Sequence, residues 1–317
     1  MDEKLNVSYA PHIRTERYIS TTMRDVLIAL VPALCGGVYF FGIRALIVTL
    51  VSVCACMLSE YIWTVLAKKK NSLPDLSAAV TGVLLAFCMP PSVPYYMVIV
   101  GAVFAIIIVK SFFGGLGQNI VNPALAARAF LLACWPVAMT DYSIPGADAV
   151  SGATPLAVMK GVGEGTLASY RDLFLGTNIG GCIGEVSALL ILIGALYLFV
   201  RKVISLVIPI TYILTVGVFG LLFSKDGFMQ GDFLYSILAG GVMLGGFFMA
   251  TDYTTSPLTA KGQALYAFLA GIITGVIRVY GGYPEGVTYA ILVMNIATPL
   301  IDKAIVPKTF GKAVKEK

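Results

Sequence analysis

Apolar residues fill ten stretches of this chain, separated by short polar intervals. The stretches run Val26–Gly42, Ile43–Ala67, Asp75–Met89, Pro94–Phe113, Pro123–Met139, Cys182–Val200, Val203–Phe223, Phe233–Ala250, Gln263–Val279 and Val287–Ile305. Runs of this length and apolarity read as helices that cross a bilayer. The pattern predicts an all-α integral membrane protein of about ten transmembrane helices. Some runs are short. Asp75–Met89 holds fifteen residues, roughly 22 Å of helix against a ~30 Å hydrocarbon core. The first and fifth runs also fall short, and they carry or abut Pro32, Gly36-Gly37 and Asn122-Pro123. Broken helices are tolerated at membrane depth only where protein or a cavity meets the freed backbone groups. An internal site at mid-membrane depth is therefore expected.

The polar intervals divide the chain into five parts: a cytoplasmic N-terminal segment (1–25), a first five-span half (26–139), an outer loop (140–181), a second five-span half (182–305) and a basic cytoplasmic tail (306–317). Five spans on each side of the loop imply halves of opposite orientation, an inverted repeat. Two weak parallels support it. Asp75 opens the third run as Asp232 opens the eighth, and Gly114-Gly115 before Asn122-Pro123-Ala124 parallels Gly281-Gly282 before Pro284-Glu285-Gly286.

Composition agrees with the pattern. Of 317 residues, 58% are hydrophobic and 12% charged, against about 25% charged in soluble domains, and the mean hydropathy is +0.88. The polar lead-in lacks the apolar core and small-residue cleavage site of a signal peptide. With the N-terminus inside, inner segments hold sixteen Lys and Arg and outer segments five, with Arg128 inside the fifth span left out of both. That asymmetry places both termini in the cytoplasm and the 140–181 loop outside a multi-pass cell membrane. Nothing resembles a nucleic-acid patch. The six cysteines (Cys35, Cys54, Cys56, Cys88, Cys134, Cys182) form no CxxC pair and read as small apolar side chains, and His12 is the one histidine. No metal site is expected from these residues.

Candidate chemistry centres on Asp148-Ala149-Val150-Ser151-Gly152-Ala153-Thr154-Pro155-Leu156. Small residues before Thr154 leave its hydroxyl on narrow, approachable backbone. The spacing Asp-x-x-Ser-Gly-Ala-Thr resembles the acceptor motif on which flavin transferases attach FMN through a threonine phosphoester. One such match is expected by chance about once in a thousand sequences, and a plain Gly/Ala/Ser turn is the competing reading. On the first reading Thr154 carries the flavin, Gly152 and Ala153 keep the backbone open, Ser151 bonds phosphate oxygens, and Asp148 serves the attachment reaction or orders the loop. Glu60, Lys110, Arg128, Glu185, Asp252, Arg278, Glu285 and Asp302 lie in or near spans. Snorkelling or interfacial exposure is the simpler account for most of them. Arg128, within the fifth span, is expected to face protein or a polar cavity. Two polar connections, 112–123 and 251–262, read either as borders of a second cofactor or partner contact or as plain turns. Small-xxx-small spacings at Gly176, Gly180 and Gly184, at Gly241 and Gly245, and at Gly271 and Gly275 suggest close helix approach.

Taken together, the chain resembles the family of D-type membrane subunits of the Rnf-type ion-translocating electron transport complex. The B-type subunits of the sodium-pumping NADH:quinone reductase are a more distant likeness. The resemblance rests on Ser8-Tyr9-Ala10-Pro11-His12, on the Gly114-Gly115-x-Gly117-x-Asn119-x-x-Asn122-Pro123-Ala124 segment and on Ser151-Gly152-Ala153-Thr154-Pro155-Leu156. Asp252-Tyr253-x-Thr255-Ser256-Pro257 and Met294-Asn295-x-x-x-Pro299-Leu300-Ile301-Asp302 complete it. The long N-terminal extension of the quinone reductase relative is not seen ahead of these motifs, which favours the Rnf side. The resemblance implies covalent FMN at Thr154, installed by a flavin transferase, and a noncovalent riboflavin in the membrane. It also implies electron transfer among neighbouring subunits, including a second covalent-flavin subunit and iron–sulfur subunits, coupled to Na+ or H+ translocation between ferredoxin and NAD+. No complete active site is expected in this chain alone. The competing readings are a channel or secondary transporter without flavin and a structural assembly role.

Overall fold

A computed structural model of the chain describes residues 18–69, 72–142, 154–161, 167–177, 179–224, 227–283 and 285–306. Among the described residues, four helices are long and apolar enough to cross a bilayer: α1 (Ile19–Phe41), α2 (Ile43–Leu66), α13 (Ala260–Tyr280) and α14 (Val287–Ala304). Gly42, at φ +75°, makes the sharp joint between the first two. Shorter apolar helices fill the space between them: α3 (Ser77–Phe87), α4 (Tyr95–Val103, widening into π-helical turns over Phe104–Ser111), α5 (Pro123–Cys134), α9 (Ala188–Val200) and α10 (Val207–Leu222). Small helices α6 (Pro136–Met139), α7 (Pro155–Met159) and α8 (Tyr170–Leu175) follow the first half. A broken element, α11 (Phe233–Leu238) then α12 (Val242–Leu244) with π-helical turns over Gly245–Met249, lies in the second. Strands β1 (Phe223–Ser224) and β2 (Gly227–Phe228) form a two-residue hairpin, the sole sheet among the described residues. The chain is an all-α, multi-pass membrane protein.

The packing pairs of the first half recur in the second. Helix α2 packs on α3 and α4 as α10 packs on α11 and α13, and α4 meets α5 as α13 meets α14. Two further contacts, α1 with α9 and α5 with α14, join equivalent members of the halves. Small residues permit the closest of these approaches. A methyl at Gly194 of α9 would lie 2.0 Å from the carbonyl oxygen of Ala29 in α1, and one at Gly82 of α3 would lie 2.7 Å from Val53 Cα in α2. The shared core holds Phe87, Met97, Tyr212 and Tyr266. Leu58, Leu66, Leu196, Leu214 and Leu300 point outward, as expected of helices whose outer surface meets acyl chains. Among the cysteines, Cys56, Cys88 and Cys182 are buried, while Cys35, Cys54 and Cys134 lie on the outer faces of their helices. Six apolar thiols thus divide equally between core and periphery.

Element ends differ from the hydropathy pattern where tertiary contacts decide them. Helix α1 begins at Ile19, a full two turns before the apolar run. The fifth run breaks at Trp135, because Pro136 has no N–H for the helical ladder. The sixth span is helical only from Ala188. Helix α3 has eleven residues, or roughly 16 Å, so it ends inside the protein with carbonyls that need donors. The segment before Ala188 supplies them, with Ile183 N–H donating to Met89 O at 3.0 Å and Gly184 N–H to Phe87 O at 3.1 Å. A Cβ at Gly184 would sit 2.3 Å from Phe87 Cβ. Gly184 therefore serves this backbone contact, and Gly176 ends α8 at φ +89°, so Gly176, Gly180 and Gly184 do not form one helical stripe. Gly245, Gly271 and Gly275 do meet neighbouring elements closely, at Val287, Thr215 and Phe219. The parallel between Asp75 and Asp232 is also looser than the sequence suggests. Asp232 caps α11, accepting from Tyr235 N–H at 3.0 Å, whereas Asp75 lies in a 3-10 turn ahead of α3.

Candidate functional site

Thr154 stands at the head of α7, and Pro155 occupies the first helical position, where a missing N–H costs nothing. The Thr154 hydroxyl oxygen accepts from Ala157 N–H at 3.3 Å, and the residue is 6% exposed. Two residues on, Leu156 packs into a small apolar cluster with Leu173 of α8, Ile179, Tyr235 of α11 and Ala239. Tyr235 reinforces this seat by donating to Pro155 O at 3.3 Å. Helix α8 is tied to α11 by a short hydrogen bond from Tyr170 to Asp232. Hydrogen bonds from Thr177 and Ser169 hold the half-buried Asp172 carboxyl below the usual carboxylate range. Asp148, Ser151, Gly152 and Ala153 lie outside the described residues.

Thr154 opens on a narrow cavity of about 20 Å³, room for a single water. Gly180, Gly181 and Gly240 leave its walls without side chains, and Glu185 and Glu285 close it. The two carboxylates belong to a buried charged cluster. Arg128 of α5 pairs with Glu285 through a short ion pair and also reaches Cys182 Sγ at 3.7 Å. Glu185 accepts from Cys182 N–H at 3.3 Å, and its second oxygen has no hydrogen-bond partner. Arg278 of α13 donates to Ser236 O at 2.7 Å and Ala239 O at 2.9 Å, the carbonyls freed where α11 breaks. Lys160, just past α7, donates to Ile277 O at 3.3 Å, Tyr283 O at 2.8 Å and Gly281 O, so it caps the end of α13.

Arg128 thus faces a polar interior, as the sequence suggested. Glu60, Lys110, Glu185 and Arg278 do not snorkel. All four are buried: Glu60, Lys110 and Arg278 meet partners from distant parts of the chain, and Glu185 meets the nearby Cys182 N–H. Lys110 donates to Glu60 Oε1 and to Ser77 Oγ, each at 2.7 Å, and Ser72 Oγ donates to the same Glu60 oxygen at 2.9 Å. Lys110 and Ser77 border a second cavity, of about 100 Å³, together with Asn119, Asn122, Asp252 and Thr254. The polar connections 112–123 and 251–262 meet here. Asn119 donates to Thr254 Oγ1 at 3.1 Å, Asn122 donates to Met249 O at 3.3 Å, and Asp252 accepts from the Thr254 and Thr255 hydroxyls. Asn122 Oδ1 also caps α5, accepting from Ala124 and Leu125 N–H. Asp302 accepts from Leu258 N–H at 3.1 Å. The pairing of Asp25 with Arg201 and the capping role of Lys160 had no sequence signal beyond the presence of charge near apolar runs.

Comparison with known proteins gives a single picture. The profile of the NQR2, RnfD, RnfE family matches residues 6–311. The D-type subunit of the Na(+)-translocating ferredoxin:NAD(+) oxidoreductase complex of Acetobacterium woodii is 51% identical over 309 residues, covering 97% of this chain and 95% of the relative. Its counterpart in the proton-translocating ferredoxin:NAD(+) oxidoreductase complex of Clostridium ljungdahlii is 45% identical, covering 96% of each. The counterpart in the ion-translocating oxidoreductase complex of Halorhodospira halophila is 37% identical, covering 95% of this chain and 94% of the relative.

Proposed function

The chain belongs to the NQR2, RnfD, RnfE family, and from that premise we propose that it is a membrane flavoprotein subunit of an ion-translocating ferredoxin:NAD+ oxidoreductase complex. The end-to-end similarity to the corresponding subunits of two such complexes carries this reading. The chain has no dinucleotide fingerprint, and no cluster of metal-ligating side chains occurs among the described residues. Oxidation of ferredoxin and reduction of NAD+ then fall to partner subunits, and this chain relays electrons between flavin and iron–sulfur centres while Na+ or H+ crosses the membrane.

The relay group is FMN, joined by a phosphoester to Thr154 by a flavin transferase. Asp148, Ser151, Gly152 and Ala153 belong to the same attachment motif. The motif supports this assignment, and Thr154 places a hydroxyl at the head of α7, beside a narrow cavity walled in part by glycines. When bound, FMN supplies the redox chemistry, and the protein positions it and tunes its potential. The charge asymmetry puts this end outside and both termini in the cytoplasm. A noncovalent riboflavin in the membrane belongs to the same reading.

The test is a denaturing gel viewed under ultraviolet light, with the chain co-expressed with a flavin transferase. Wild type is expected to fluoresce and Thr154→Ala to be dark. A dark wild-type band, beside a control substrate that the transferase does label, overturns the covalent assignment and leaves a channel or transporter role in front.

A further inference from the structure

The break between α11 and α12 leaves a wall without side chains, and two carboxyl groups lie against it. A Cβ at Gly240 would stand 3.1 Å from Glu285 Oε1, and one at Gly241 would stand 2.7 Å from Glu185 Oε2. Adjacent glycines, the first at φ +70°, thus make room for both groups. The same two carboxyls border the narrow cavity on which Thr154 opens. They also lie within hydrogen-bonding reach of each other. Glu185 comes from the segment ahead of α9 and Glu285 from the turn ahead of α14, so only the fold brings them together.

Their surroundings are unequal. Arg128 of α5 pairs with Glu285. Glu185 has one donor on one oxygen, the Cys182 N–H at 3.3 Å. Its other oxygen, Oε2, is closed to solvent and meets no donor among the described residues, and the residue as a whole is 8% exposed. The other ionisable groups near the pair are Arg278 of α13, the Cys88 and Cys182 thiols, and the Tyr142 and Tyr212 phenols. Both terminal nitrogens of Arg278 donate to backbone carbonyls, and it forms no ion pair among the described residues. A full negative charge on Glu185 would therefore sit in a dry site beside Glu285, with no donor on Oε2.

We propose that Glu185 and Glu285 together form a proton-binding site, in which Glu185 Oε2–H donates to the Glu285 carboxylate and Arg128 holds that carboxylate in its charged form. The orphan oxygen then has a partner, and the two carboxyls no longer meet as like charges. A proton fits where a larger cation does not, because nothing the size of water reaches Glu185 Oε2. Binding and release move H+ alone, and no other bond changes. The site also bears on Thr154. An anionic group joined to that hydroxyl would otherwise face two carboxylates in the cavity. Here it faces a neutral acid and one carboxylate already paired with arginine. That consequence rests on the covalent reading above, whereas the proton site itself does not.

The experiment uses the full chain, purified in detergent and expressed without a flavin transferase, so that the carbonyl bands of an attached flavin do not interfere. Infrared spectra are taken at neutral pH for wild type and Glu185→Gln, with and without carbon-13 in the glutamate side-chain carboxyls. Wild type should show a carboxylic-acid C=O band that moves on labelling, and Glu185→Gln should remove one glutamic acid's share of it. Glutamine offers the same donor and acceptor as the protonated acid, so Glu185→Gln should melt within about 2 °C of wild type. Glu285→Gln, which takes the anion from Arg128, should melt distinctly lower. A wild-type spectrum without a labelled acid band means two ionised carboxylates and overturns the inference, whatever the variants do. A band that Glu185→Gln leaves intact overturns it too, because the proton then sits on another residue. A band that fades as sodium replaces potassium in the buffer would make the pair a metal-cation site. A Glu185→Gln chain that fails to fold would mean that the charge of Glu185 is needed. Either of these results also overturns the proposal.

Discussion

Replacing Glu285 with leucine is expected to destabilise the purified chain by about 3–5 kcal/mol, the usual result of removing one member of a buried ion pair. Arg128 would keep its charge with only the Cys182 sulfur, at 3.7 Å, beside it. Arg128 is buried within the protein, so bulk water does not replace the lost partner. Arg128→Met should destabilise for the mirror-image reason, because Glu285 would join Glu185, which already has one oxygen without a partner. The double variant Arg128→Met/Glu285→Leu should recover much of the loss, since no uncompensated charge remains. Thermal unfolding of the four proteins in one detergent forms a double-mutant cycle. Additive losses would show that the two residues act independently and that the pair does not hold α5 to the start of α14. The cycle also bears on the Thr154 site, because Glu285 closes the cavity on which Thr154 opens.

The membrane class and most spans were legible because they depend on local composition. The Thr154 motif stood out as a candidate for the same reason: it is a contiguous string. The charged cluster was not. Arg128 and Glu285 are 157 positions apart, and Lys110 and Glu60 are 50 apart. A residue near the end of an apolar run looks the same in sequence whether it reaches for water or for a buried partner. The late start of α9 was hidden for a related reason. Cys182-Ile183-Gly184 is apolar enough to extend a span, but α3 ends within the protein, and its carbonyls claim the N–H groups of Ile183 and Gly184. Glycine stripes were ambiguous in the same way. Gly271 and Gly275 serve helix contact, whereas Gly176 ends a helix and Gly184 admits a neighbouring backbone. Breaks at Pro136 and Gly240 follow from residue chemistry, yet only the fold shows that Arg278 satisfies the carbonyls that the second break exposes.

Gly194→Val should be the most damaging single change at the junction between the halves. The added Cβ would lie 2.0 Å from the backbone oxygen of Ala29, with Phe248 Cζ at 3.1 Å on another side. A side chain can rotate away from such an overlap, but a backbone carbonyl within α1 moves only with its helix. Separating α1 from α9 loosens dispersion contacts along their whole interface, and in a bilayer those contacts supply much of the association energy. Overpacking usually costs about 1–3 kcal/mol. Gly194→Val is expected at or above the upper end because the obstacle is main chain. Gly282→Ala is the matched control, since its Cβ meets nothing within 4 Å, and a change of no more than about 0.5 kcal/mol is expected. The readout is the temperature at which the monodisperse peak is lost on size-exclusion chromatography after heating. If Gly194→Val withstands the same temperature as Gly282→Ala, α1 and α9 have room to move apart. Their close crossing would then not be what locks the first half to the second.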